Sequence, residues 1–309
     1  MKTAPKRINA ATFQANLDTL ALTVAERLKD EWPLDLYRLP FAQGFFISSL
    51  RFCQCAYRAE CEMYSDERRE DYRWDWGKVV VLPPINRAVL DSLFNIIFML
   101  EDIPSRSQWY VRSGWREQKL EYDRFLKEYS TNEEWSEWLP KLARMVQQGV
   151  SLFNITEDEN ENPKTIEQWP SSGQMPNYGI NPPKRPANRE FLQYLSDWFY
   201  REHSGMAHMS FLGMLKFTAV LNNDHLTKDE RSKLEEDGLP QMMTGHVLRS
   251  AILLLCVISE IQSQFKFSGN IELRILDIWH ILMQGSTEAK ELFERRYSPM
   301  FPAFLVNLN

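Results

Sequence analysis

Apolar and polar positions alternate along almost the whole chain with a period of three to four residues, the signature of helices that bury one face. The clearest case begins at Pro84, where Ile85, Val89, Leu93, Ile96, Ile97 and Leu100 form one stripe with small Ala88 and Ser92 between them. Proline suits a first helical turn because its missing N–H would have no partner there. Glu101, Asp102 and Pro104 then close the helix. The same period predicts helices over 11–30, 41–65, 106–129, 132–150, 189–221, 239–265 and 270–296. Glu133 and Glu134 follow Thr131 and Asn132, as acids suit a first turn. The one β-branched run, KVVVL at 78–82, stops at Pro83 and Pro84, and the charged, aromatic stretch 66–77 reads as a connection. The expected fold class is all-α, a multi-helix bundle.

Residues 154–188 break the pattern. They are rich in Pro, Asn, Ser and Glu and have almost no apolar periodicity. A loop of this length in a compact domain is a lid, a binding loop or a linker. Trp169 and Tyr178 within it predict at least partial docking. The chain therefore divides into an N-terminal helical part (1–153), an irregular segment (154–188) and a C-terminal helical part (189–309), expected to build one composite domain.

Composition narrows the function classes. With 309 residues, 44% of them hydrophobic, the chain can bury a large core. A net charge of −6 argues against coating nucleic acid by bulk electrostatics, though a local basic patch stays open. No continuous apolar run follows the basic N-terminus, so no secretory signal is expected. The unbroken aliphatic stretches near 93–100 and 251–258 are shorter than the roughly 20 residues that span a bilayer. The expectation is a soluble, cytoplasmic protein without a membrane partner. Cys53, Cys55 and Cys61 lie on different helix faces, with no histidine or fourth cysteine nearby to complete a zinc site. Together with Cys256 they read as reduced thiols.

Two constellations carry candidate chemistry. On the helix after Pro84, Arg87, Asp91 and Asn95 recur every four residues along one face, flanked by Phe94 and Phe98. One reading is a surface ion pair worth a few tenths of a kcal/mol. The aromatic neighbours favour the other, a partly buried polar row that needs partners elsewhere. The second constellation is WFYREHSGMAHMS at 198–210. Ser196, Tyr200, Ala207 and Ser210 lie within roughly 60° of His203 on a helical wheel. His203 borders an apolar stripe of Leu192, Leu195, Phe199 and Met206. This face is expected to pack against Arg87, Asp91 and Asn95.

Arg201 and His208, two turns apart, project within about 20° of each other and away from that stripe. A planar fork of donors and a group titrating near neutrality can reach one phosphate from either side. The sequence Arg201-Glu-His-Ser-Gly-Met-Ala-His208 resembles the motif of the HEPN superfamily of α-helical proteins. Many of its members are metal-independent RNases of toxin–antitoxin, CRISPR and antiphage systems. The resemblance implies a homodimer that brings two motifs together over RNA, with Arg201 and His208 catalytic and no cofactor or metal. Lys184, Arg185 and Arg189 just upstream add local positive charge for RNA binding. The segments RAVLDSLFNIIFMLED and FLQYLSDWFYREHSGMAHMS together look like a bacterial helical family of unknown function. That family joins an Arg-x3-acid helix (Arg87, Asp91) to a later segment with Tyr194, Leu195, Ser196 and His203. In this reading His203, Arg87, Asp91, Asn95, Ser196 and Tyr200 form a supporting polar network.

Other arrangements are weaker. Asp277 and His280 share a helix face, but a di-iron bundle needs Glu-x-x-His copies that the chain lacks. His246 and Arg249 suit an interhelical polar pair or part of a phosphate-binding surface. No G-x-S-x-G, P-loop or dinucleotide glycine pattern is present. Two functions stay open: a HEPN-like endoribonuclease of a bacterial toxin or antiphage system, and a non-catalytic helical module that binds a protein partner or antitoxin in such a complex.

Overall fold

The computed structural model describes residues 10–67, 76–178, 186–200, 227, 229, 230 and 238–301. Among them the fold is all-α, with no strand. Its helices are α1 (Ala10–Asp30), α2 (Pro40–Glu67), α3 (Trp76–Leu100), α4 (Ile103–Tyr129), α5 (Trp138–Leu152), the short α6 (Glu157–Glu161), α7 (Pro186–Leu195), α8 (Leu239–Phe265), α9 (Ile271–Gly285) and α10 (Thr287–Leu292).

The bundle is organised around α8. Residues 251–262 are buried on every side, as expected of a helix that is apolar all round. It packs against α2 and α3 most extensively and also meets α1 and α9. One buried cluster takes residues from both halves of the chain, from Leu17 through Phe46, Phe94 and Leu192 to Trp279 and Phe301. The described residues on either side of the irregular segment thus share a core. Two stretches, Val80–Leu100 and Pro240–Phe265, are long and apolar enough to span a bilayer, which an inspection of unbroken aliphatic runs overlooks. Of these stretches 56% and 67% is buried within the bundle, as in a central core helix.

The helix expected over 132–150 opens instead as a 3-10 turn at Glu133–Trp135, capped by Asn132, and becomes α-helical only from Trp138. Two further boundaries differ from expectation for local reasons. The β-branched run at 78–82 is helical and belongs to α3, with Pro83 and Pro84 inside the helix. Interior prolines cost a helix about 3 kcal/mol, so burial must outweigh local preference. Leu82 and Met243 are fully buried against each other, with Met63, Tyr64, Val80 and Met242 packed around them. The helix expected over 270–296 is broken at Ser286. Its backbone is extended and its hydroxyl accepts from Ala289 N, capping α10. The turn between α8 and α9 uses Lys266 in the left-handed region (φ 51°) and Gly269 at φ 91°.

The irregular segment is docked at least as far as Tyr178. Thr156 and Glu159 form a reciprocal capping box that starts α6. Arg112 of α4 donates to Asn154 O at 3.1 Å and also pairs with Glu159. Ile155 and Ile166 are buried with Trp115 and Val146 in a cluster between α4 and α5. Residues 155–178 therefore act as a strap over α3, α4 and α5.

Candidate functional site

The polar row on α3 is half interior. Arg87 Nε donates to Asp91 Oδ2 at 2.9 Å. The Arg87 side chain is only 10% exposed while that of Asp91 is 36% exposed, so the guanidinium lies inside the protein and the carboxylate at its edge. A solvated surface pair does not look like this.

Asn95 finds its partner in the strap. Its Nδ2 donates to Asp91 O at 2.7 Å, and its Oδ1 accepts from Trp169 Nε1 at 2.7 Å. The Trp169 backbone N–H donates to Ser113 Oγ at 2.7 Å. The indole lies edge-on to Phe98, Trp109 and Tyr110, with ring centroids 5.0, 5.3 and 5.1 Å away. Arg106, ion-paired with Glu101 at 3.1 Å, stacks over the Phe98 ring at 3.7 Å. The strap thus engages Asn95, because Trp169 can partly bury its ring only where an acceptor meets its N–H; the His203 face expected against this row lies outside the described residues.

The described start of that later helix, α7 and the turn after it, packs against α3. Phe191, Leu192, Leu195 and Phe199 are buried, which accounts for the described part of the apolar stripe. Arg189 is exposed and Ser196 half-buried. From Ser196 to Tyr200 the helix widens into a π turn, a feature frequent near functional sites. Arg201, His203, His208, Lys184, Arg185 and the Tyr200 side chain lie outside the described residues.

Two buried polar clusters were not anticipated from the sequence. At the junction of α2, α3 and α8, the fully buried carboxyl of Glu60 accepts from Asn86 Nδ2 at 3.2 Å, and Ser250 approaches it as well. Asn86 also donates to the backbone carbonyl of His246 at 3.3 Å. Burial pushes the Glu60 carboxyl up to about 9, and the Asn86 hydrogen bond and the nearby Ser250 hydroxyl offset this only in part. Glu60 is thus a neutral acid at pH 7. His246 is buried in this cluster, whereas Arg249 pairs with Glu288 of α10 at 3.5 Å.

The second cluster ties α7 and α8 to the turn after α10. Arg296 donates to both Glu260 oxygens, at 2.8 and 2.9 Å, and to Asn188 Oδ1 at 2.6 Å. All three residues are buried. The one sequence signal was Glu260, a lone acid inside the apolar run of α8. Asp277 and His280 are both exposed, and His280 Nε2 hydrogen bonds with Gln284 Nε2 at 2.8 Å. All four cysteines are free, with Cys55 exposed and the others buried.

Comparison with known protein families, curated proteins and solved structures finds no match for this chain.

Proposed function

We propose that the chain is a metal-independent, HEPN-like endoribonuclease of a bacterial toxin or antiphage system, working in the cytoplasm as a homodimer. The observation that carries this reading is the Arg201-x6-His208 sequence. It begins directly after an α-helix and π turn whose apolar stripe is anchored on α3. Exposed Arg189 on α7 adds positive charge on the approach to it.

In the proposed reaction His208 removes the proton of a ribose 2′-hydroxyl as its oxygen attacks the adjacent phosphorus. Arg201 stabilises the charge that builds on the phosphorane oxygens. The P–O5′ bond breaks, leaving a 2′,3′-cyclic phosphate on one fragment and a 5′-hydroxyl, protonated in turn, on the other. The imidazole and guanidinium supply the proton transfer and the charge, so the step draws on no cofactor.

A second reading, a non-catalytic helical module that binds a protein partner or antitoxin, is favoured by a different observation. Several described polar residues are engaged with each other: Asn95 with Trp169, Arg249 with Glu288, and Arg296 with Glu260 and Asn188.

One assay separates the two. Labelled RNA is incubated with purified protein in EDTA, beside Arg201→Ala and His208→Ala variants shown to be folded by circular dichroism. The nuclease reading expects cyclic-phosphate ends from the parent and a loss of about 100-fold or more in each variant. Intact RNA with the parent, or full-rate cutting by the variants, sinks it and leaves the binding module.

A further inference from the structure

Between α1, α2, α8 and α9 lies a cavity of about 510 Å³ whose described lining includes no residue of either constellation. Its size falls within the range, about 300–1,000 Å³, of pockets that enclose small organic ligands. Phe13, Tyr57, Cys61, Leu248 and Ile281 form its walls, one or more from each helix. Tyr57 and Cys61 are buried one turn apart, so the inner wall meets a guest mainly through ring and methylene surface.

None of the described residues lining the cavity is charged. An ion placed there would lose hydration without gaining a counter-charge from the described lining. The polar groups sit toward the rim. Thr244 is exposed, and its hydroxyl donates to Pro240 O at 2.7 Å and lies 3.2 Å from Tyr64 Oη. Half-buried Gln14 offers an amide that both donates and accepts.

We propose that this cavity is a binding site for an uncharged, mostly apolar small molecule, with its ring or aliphatic body between Phe13, Leu248 and Ile281 and one hydrogen-bonding group toward Gln14 and Thr244. The site is independent of the ribonuclease reading and stands or falls separately from it.

The test titrates the full chain with the uncharged probe N-phenyl-1-naphthylamine, followed by probe fluorescence, beside Leu248→Trp, which fills the cavity, and Thr244→Trp, which narrows its mouth without entering the core. Folding of both variants is checked by circular dichroism, and a single folded variant suffices for the comparison. Saturable one-to-one binding is expected, at least tenfold weaker in either folded variant. The anionic relative 8-anilinonaphthalene-1-sulfonate should also bind the parent at least tenfold more weakly. Absence of saturable binding, undiminished binding by the folded variants, or equal affinity for the anionic probe overturns the assignment.

Discussion

Trp169 donates its indole N–H to the side-chain oxygen of Asn95, 74 residues earlier in the chain, at 2.7 Å. This contact joins the strap to the polar row of α3. Asn95 reaches it only because its own amide is turned by the bond to Asp91 O, and Asp91 in turn is the partner of Arg87.

Trp169→Phe retains an aromatic ring against Phe98 and Trp109 but removes the donor. Leaving the half-buried Asn95 oxygen without a partner should destabilise the protein by about 1–3 kcal/mol in urea unfolding. The strap should also become more accessible to protease between 155 and 178. Identical cleavage rates in variant and parent would show that aromatic packing alone holds the strap.

Glu60 predicts a pH dependence. Its carboxyl stays protonated up to about pH 9 when folded, against an ordinary value of 4.5. The folded chain therefore binds more protons than the unfolded chain between these limits, and stability falls as pH rises through them. The slope from this one group is at most about 1.4 kcal/mol per pH unit. Glu60→Gln removes the titration while keeping a polar side chain of similar shape. The variant should be more stable than the parent at pH 8, with the difference vanishing near pH 4. Parallel stability curves for the two proteins over that range would contradict a neutral Glu60.

Arg296 and Glu260 form a buried, bidentate pair. Removing one partner strands a charge in the core, so Arg296→Met should cost about 3–5 kcal/mol. Adding Glu260→Leu should restore most of that loss, because the pair as a whole contributes little beyond filling space. A double variant as unstable as the sum of the two single ones would instead mean that the pair is strongly stabilising in itself.

Gly149 is required by Trp115. A Cβ at this position would lie 2.3 Å from Trp115 Cδ1 and 2.9 Å from its Nε1. The indole cannot retreat without giving up its 2.9 Å bond to Val146 O. Gly149→Ala should therefore cost about 1–3 kcal/mol, despite alanine's higher helix propensity, with a visible change in near-UV circular dichroism. A variant as stable as the parent, or more so, would show that the α4–α5 contact yields easily.

How much of this could be read from the sequence depended on the range of the interaction. The bounds of α8 follow from an apolar run that no side chain elsewhere had to explain. The break at Ser286 was hidden because a single hydroxyl, capping three residues on, interrupts an otherwise continuous apolar period. The run at 78–82 reads as strand by composition, yet it has no strand among the described residues to pair with, and Leu82 is buried against Met243 instead. At the candidate site, the spacing of Arg87, Asp91 and Asn95 predicts their shared face, but the partner of Asn95 lies in a segment without periodicity. Glu60 and Asn86 carry no local mark at all. They are polar residues in ordinary helical positions, and only the approach of α8 makes them interior.

The central position of α8 bears on how the protein is made. When α2 and α3 leave the ribosome, the surfaces that α8 will cover are bare, and the residues between Leu100 and Leu239 must be synthesised first. At ~5–20 residues per second that interval lasts on the order of ten seconds. Throughout it the nascent chain presents unburied leucine, isoleucine and phenylalanine to the cell. Holding chaperones should therefore engage this protein during translation rather than after release, and truncations ending before α8 should aggregate.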